Sequence, residues 1–168
     1  TDHMQPITRR HFAGMTTVSI SAAAFERRLF AAPEEGPHCT LWQLAGQTRS
    51  QMNSYVIRTI GNELIVIDGG RKDDAAYLRA FIQERGSHVH AWFISHTHLD
   101  HVDALTEILK KPGGMKIDKI YGSLPDDEWL KKHQDSGSLR TQRALLAAVK
   151  ASKHKVLPLS LGQNIKFK

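Results

Sequence analysis

Five side chains that can bind metal or transfer protons lie within nine positions of this sequence, in the stretch SHTHLDHVD at residues 95–103. The stretch directly follows AWFI, an apolar run typical of a buried strand. In extended backbone just past a strand, residues two apart project to the same side, so His96 and His98 can reach one ion. Asp100 and His101, at the turn into the next helix, would then face a second ion beside the first.

This donor set suggests a particular chemistry. Imidazole and carboxylate together suit Zn²⁺ and also accept Mn²⁺ or Fe²⁺. Two such ions about 3.5–4 Å apart can share a hydroxide, which is a nucleophile at neutral pH. The pattern therefore predicts a metal-dependent hydrolase that uses a metal-bridged hydroxide, with two zinc ions expected. The competing interpretations of the cluster are a solvated histidine-rich loop and a chance grouping.

The surrounding sequence predicts the elements that must position these residues. Runs rich in β-branched and aromatic residues predict strands, with a hairpin turn at 60–62, and amphipathic spacing predicts helices. The predicted strands are 39–46, 54–59, 63–70, 89–95, 116–123, one within 154–160 and the start of another before 168. The predicted helices are 72–86, 103–111, 125–137 and 138–153. This order indicates an α/β fold with a mixed sheet and outer helices.

The sequence also predicts the positions of several single residues. Asp103 is expected to cap the helix after the motif. His88 and His90 are expected to precede the fourth strand and to be surface residues rather than metal ligands. Trp129 follows PDDE and has two open interpretations, core packing or a place at the mouth of the site.

The motif HTHLDH at 96–101, with IVIDGG about thirty residues upstream, resembles the metallo-β-lactamase superfamily. The resemblance implies an αβ/βα sandwich, of which this chain would hold the first half. It implies His96 and His98 as ligands of one metal, and Asp100 and His101 as ligands of a second, with Asp100 also the candidate catalytic residue. It further implies that Asp68 braces the histidine loop from behind, because ligating imidazoles need their other ring nitrogen held.

Within that superfamily, SYVIRT, ELIVIDGG and AWFISHTHLDHVDALTEIL together look most like the branch that includes the metal-dependent domain of the DNA-uptake protein ComEC. The implied substrate is a phosphodiester or another small-molecule ester, while lactam, thioester and lactone hydrolysis stay open. A flavodiiron-type redox protein is disfavoured, because that branch has a carboxylate where His98 stands.

The charge of the chain bears on its partners. The formal net charge is +6, and residues 110–168 hold 13 Lys and Arg against 5 Asp and Glu, a difference of +8. This basic half favours anionic partners and keeps nucleic acid as a candidate, although lysines also simply solvate helix faces. The alternative function is therefore a non-catalytic module that retains the fold and binds nucleic acid or another anion.

The sequence also departs from the superfamily pattern after the motif. The family completes its site with later histidines and a bridging Asp, but only His133 and His154 follow the motif here. Both are expected at a surface or a helix end. We therefore expect the domain at 38–168 to be C-terminally incomplete and to hold only part of the site.

Residues 1–37 are expected to lie outside that domain. They combine a cloning remnant ahead of Met4, a twin-arginine export signal beginning at Arg9 and Arg10, and a linker. The signal predicts export to the periplasm; without it the protein would be cytoplasmic. Cys39 is the single cysteine, so an intrachain disulfide and a cysteine-rich zinc site are excluded. No run approaches the roughly 20 apolar residues of a membrane span, and nothing indicates the oligomeric state.

Overall fold

The computed structural model describes residues 39–133 and 136–168. The predicted export signal and linker at 1–37 lie outside these residues. Within them, a 3₁₀ turn at Lys72–Asp74 precedes the first of four α-helices, and seven strands are present. The strands are β1 (Thr40–Gln43), β2 (Ser54–Arg58), β3 (Leu64–Asp68), β4 (His88–Ile94), β5 (Lys116–Ile117), β6 (Ile120–Gly122) and β7 (Val156–Leu157). The helices are α1 (Ala75–Gln83), α2 (Leu99–Lys110), α3 (Asp127–His133) and α4 (Ser136–Ala151).

The strands form one mixed sheet in the order β1-β2-β3-β4-β6-β7, with β5 also pairing with β4. The first three strands are antiparallel neighbours, and β3, β4, β6 and β7 run parallel. The β2–β3 hairpin turns through Asn62, whose φ of 62° is a left-handed conformation that asparagine tolerates. The prediction of a mixed sheet with outer helices is confirmed.

One face of the sheet is covered by helices and forms the main core. Alternate residues of β3 and β4 point into it, as the two-residue period of a strand requires. Helix α2 packs against both α1 and α4. Large buried side chains of this core include Leu64, Leu78, Ile82, Trp92, Ile94, Leu105, Ile108, Ile120 and Leu145. Burying an aliphatic side chain contributes about 1.5–3 kcal/mol, so this core stabilises the end of β4 that leads into the motif.

The other face of the sheet carries a smaller apolar cluster. Ile65 and Tyr121 are buried there, and Phe93 stacks on Tyr121 with ring centroids 5.1 Å apart. Residues 158–168 form no strand, so the strand predicted at the end of the sequence is wrong. Ile165 and Phe167 instead pack onto this cluster, since that burial requires no backbone pairing.

The strand predicted at 116–123 is interrupted. It forms β5 and β6, separated by Asp118 and Lys119. The backbone still bonds to β4 across the break, since Asp118 N–H donates to the Val89 carbonyl and Trp92 N–H donates to the Lys119 carbonyl. In the described part of the chain, no helix is both long and apolar enough to cross a membrane, as the sequence predicted.

Candidate metal centre

The motif occupies the junction between β4 and α2, at the carboxyl end of a parallel strand. Helix α2 begins at Leu99, four residues earlier than predicted, with His98 as an extended N-cap residue (φ −72°, ψ 152°). The His98 carbonyl accepts hydrogen bonds from the N–H groups of His101 and Val102, which closes the first turn around the motif. Asp103 therefore lies inside the helix, and its predicted capping role is wrong.

The three histidines of the motif meet at this junction. The ring centroid of His96 lies 4.5 Å from that of His98 and 3.8 Å from that of His101. Partial burial, together with the neighbouring His101 and His98, lowers the pKa of His96. A lowered pKa favours the neutral ring at physiological pH, which is the form that can bind a metal.

Asp68, predicted to brace the histidine loop, lies directly behind it and is 3% exposed. Its carboxylate accepts hydrogen bonds from Ser95 N–H at 2.9 Å and Ser95 Oγ–H at 2.7 Å. It also lies 2.8 Å from Nδ1 of His101. A proton held on Nδ1 by this carboxylate leaves Nε2 with its lone pair. Asp68 has a φ of +56°, a conformation that aspartate tolerates better than most residues and that aims its side chain at the loop.

Asn53, just before β2, is a neighbour of the site that the sequence prediction missed. Its Nδ2 lies 3.2 Å from Asp100 Oδ2 and 3.2 Å from His101 Nε2, two atoms that are 3.6 Å apart. Its backbone N–H also donates to the Asp100 carbonyl. The antiparallel pairing of Ser54 with Asp68 puts Asn53 at this end of the sheet, and this pairing was the available signal.

The donor set at the motif fits a divalent metal of borderline softness. Asn53 places one donor on the lone pairs of Asp100 and His101, and these are the same lone pairs that a cation would take. The two later histidines do not join the motif. His133 lies against Trp129, with ring centroids 4.9 Å apart. His154 bonds to Ser152 Oγ and to the Ile117 carbonyl.

A second group of potential ligands lies at the opposite end of β4. Across residues 39–133 and 136–168, His88, His90 and Asp118 are the one group of three or more such side chains whose ligand atoms all lie within 4.8 Å of one another. This cluster could hold a metal ion. No three of the motif side chains have ligand atoms that all lie within 4.8 Å of one another. His88 and His90 belong to β4 and are only partly exposed, so the prediction that they precede the strand is wrong.

The pairing of β3 with β4 explains why these histidines meet. The register shifts between Leu64 and Ile65, which pair with Val89 and Ala91 and leave His90 as an extra residue. Such a bulge re-aims side chains, and the rings of His88 and His90 stack with centroids 4.0 Å apart. Leu64 N–H donates to His90 Nδ1 at 3.2 Å. Lys116 Nζ lies 2.8 Å from Asp118 and 3.4 Å from His88 Nε2, so an ammonium group already stands beside this cluster.

A cleft of about 870 Å³ opens beside the motif and is lined in part by His96, Thr97 and His98. Thr97 is buried, and its hydroxyl donates to Gln142 of α4 at 3.2 Å. Trp129 also lines the cleft, so of its two interpretations the structure favours the place beside the site.

Comparison with known proteins gives a family and several similar folds. The family model described as the metallo-beta-lactamase superfamily matches residues 48–159. Among solved structures, the metallo-beta-lactamase fold protein YhfI from Bacillus subtilis is 17% identical, with a TM-score of 0.44 over 77% of this chain and 48% of that chain. A metallo-beta-lactamase from Staphylococcus aureus is 22% identical, with a TM-score of 0.39 over 61% of this chain and 29% of that chain. The chain thus spans about half, or less, of the length of these two relatives. No curated protein matches it.

Proposed function

Because this chain belongs to the metallo-beta-lactamase superfamily, we propose that it is a metal-dependent hydrolase acting on an ester. In this proposal His96, His98, Asp100 and His101 hold the metal, with two Zn²⁺ ions expected and Mn²⁺ or Fe²⁺ as alternatives. The observation that carries the proposal is the meeting of the three motif imidazoles at the end of β4.

The side chains around the motif have distinct roles in this proposal. A bound divalent metal supplies a Lewis acid that polarises the scissile group and lowers the pKa of water. Asp68 holds the proton of His101 on Nδ1 and fixes the loop through both polar groups of Ser95. Asp100 presents Oδ2 3.6 Å from His101 Nε2, and we assign it the role of accepting a proton during hydrolysis.

Metal content and ester hydrolysis test this proposal together. We expect wild-type protein to bind zinc and hydrolyse an activated ester, and His96→Ala and Asp100→Ala to lose both properties. All variants are made in a His88→Ala background, so that an ion at the second cluster is not counted. His154→Gln, which changes a histidine outside the motif, is the matched control. Unchanged zinc content and hydrolysis in the His96→Ala and Asp100→Ala proteins would refute the proposal.

The non-catalytic alternative makes a different prediction in the same preparation. A module that binds nucleic acid through its basic half should bind an oligonucleotide with strong salt dependence. That binding should persist after chelation and in the His96→Ala protein, while no ester is hydrolysed.

We also propose export through the twin-arginine signal at Arg9 and Arg10, on the sequence pattern alone. Changing both arginines to Lys should move the protein from the periplasmic to the cytoplasmic fraction of a bacterial host. An unchanged distribution would remove this proposal.

A further inference from the structure

The cleft beside His96 and His98 has walls from the loop after β6, from α3 and α4, and from the end of β7. Its volume of about 870 Å³ lies within the range of pockets that hold small organic molecules. A substrate attacked at the motif can place the rest of its structure against these walls.

The walls expose large apolar side chains. Trp129 is 46% exposed and Leu146 is 39% exposed, and both line the cleft together with Leu130 and Val156. The other large apolar side chains exposed in the described residues, Leu41, Ile60 and Leu161, are not part of the lining. Exposed apolar side chains that gather in a concave site indicate a ligand with an apolar part.

The charged residues that line the cleft bear on whether its ligand is neutral or anionic. Among the described residues, no lysine or arginine lines the cleft, although the chain holds 23 of them. The charged residues in the lining are Asp126 and Asp127. Asp126 accepts the N–H of Trp129 at 2.7 Å, and Asp127 pairs with Arg143. Away from the motif, these walls present carboxylates and no lysine or arginine, so they favour an uncharged group over an anionic one.

We propose that this cleft binds the apolar, preferably aromatic, part of an uncharged ester, with Trp129 and Leu146 against it. The inference rests on the proposed hydrolase function and narrows its substrate class. In the reaction, the oxygen of water bonds to the acyl carbon and the acyl–oxygen bond breaks. The products are a carboxylate, an alcohol and one proton. An aromatic group can stack on the Trp129 ring, which adds to the gain from burial alone.

Binding can be measured without hydrolysis, in the presence of a chelator. Butyranilide is an uncharged amide that mimics the ester, and ethyl phenyl phosphate is an anionic diester of similar size. By titration calorimetry, we expect butyranilide to bind the wild-type chain at least about tenfold more tightly than the phosphate. Trp129→Ala should weaken butyranilide binding about tenfold, and Leu146→Ala about fivefold.

Two controls keep the test independent of folding. Leu161→Ala removes a more exposed leucine outside the cleft and should leave binding unchanged. Asp126→Asn keeps an acceptor for the Trp129 N–H but removes the charge, so it should strengthen phosphate binding about threefold and change butyranilide binding less than phosphate binding. Equal or tighter binding of the phosphate, or equal losses in Leu161→Ala and Leu146→Ala, would overturn the inference.

The proposed hydrolase function is tested by a separate measurement. Hydrolysis of phenyl butyrate by the zinc-loaded chain reports the reaction, and butyranilide binding reports the cleft. Selective binding without hydrolysis would contradict the hydrolase function and support the binding cleft. Hydrolysis that is equally fast for the neutral and anionic esters, with no binding preference, would support the hydrolase function and contradict the binding cleft.

Discussion

Asp68 joins the motif loop to the buried end of β3. Its carboxylate accepts from both polar groups of Ser95 and holds Nδ1 of His101. Asp68→Asn keeps the size of the side chain and suits the left-handed backbone. Its amide cannot accept from Ser95 and His101 together, so Nε2 of His101 would carry the proton instead. We expect zinc affinity to fall about 10- to 100-fold, measured by competition with a chromophoric chelator.

Asp103→Asn is the matched control for that change, because it neutralises a nearby carboxylate that does not contact the loop. It should keep wild-type zinc affinity. An equal loss in the two variants would show that Asp68 acts through the charge of the region and not through its hydrogen bonds.

His96 provides a prediction on pH. Its pKa is lowered in the folded protein by burial and by the neighbouring His101 and His98, so the unfolded chain takes up a proton at higher pH than the folded one. Above the unfolded pKa of about 6.5 the ring is neutral in both states, so the folded protein keeps its full stability. As the pH falls towards the lower folded pKa, the unfolded chain binds the proton first and the folded protein loses stability. In a chelator, the melting temperature of His96→Gln should therefore fall less than that of wild type between about pH 7 and pH 5. If the melting temperatures of the two proteins fell equally with pH, the lowered pKa of His96 would be contradicted.

Helix α2 shows how one element connects the site to the core. Ala104 N–H donates to the Gly70 carbonyl, and the Asp100 carbonyl accepts from Asn53 N–H, so two loops are tied to its first turns. Gly70 has a φ of 88°, and a Cβ there would lie 2.5 Å from Met52. Any larger residue at Gly70 would therefore be strained in this left-handed conformation and would push against the side chains of Met52 and Asp74.

Asp103 lies in the second turn of this helix, where burial and the nearby Glu107 raise its pKa. A raised folded pKa means that the ionised carboxylate costs stability at neutral pH, and that this cost disappears as the pH falls through the raised value. We expect Asp103→Asn to melt at a higher temperature than wild type at pH 7 and to lose that advantage in acid. Asp73→Asn, at an exposed aspartate, should show no such gain; a gain in both would point to overall charge.

Among the helices and strands, the sequence correctly predicted those features that local residue patterns determine. The first four strands, the β2–β3 turn and α1 follow from apolar runs bounded by Gly and Asn. The start of α2 was missed because the His98 backbone forms its cap without a capping side chain, while Asp103 offered the stronger signal. The contact of Asn53 with Asp100 depends on the register of the β2–β3 hairpin, and the bulge at His90 depends on the register of β3 against β4; single-sequence patterns do not specify a register.

Across the whole molecule, β4 carries histidines at both ends, the motif at one and His88 with His90 at the other. The second cluster differs in having its own cation, since Lys116 lies beside both Asp118 and His88. The Lys116 side chain is 69% exposed, so a metal ion can displace it at little cost in packing. Its ammonium nevertheless competes for the same ligand atoms and repels an incoming cation.

Removing Lys116 should therefore open the second cluster to metal. In a protein whose motif histidines are changed to Ala, we expect Lys116→Ala to bind Zn²⁺ about tenfold more tightly than its parent. His88→Ala should abolish that gain, and Lys119→Ala, at a neighbouring exposed lysine, should not produce it. His90 contributes less than His88, because ligation through Nε2 requires its Nδ1 to give up the Leu64 bond. Equal zinc affinity in the Lys116→Ala and Lys119→Ala proteins would show that the cluster is a hydrogen-bonded surface group and not a metal site.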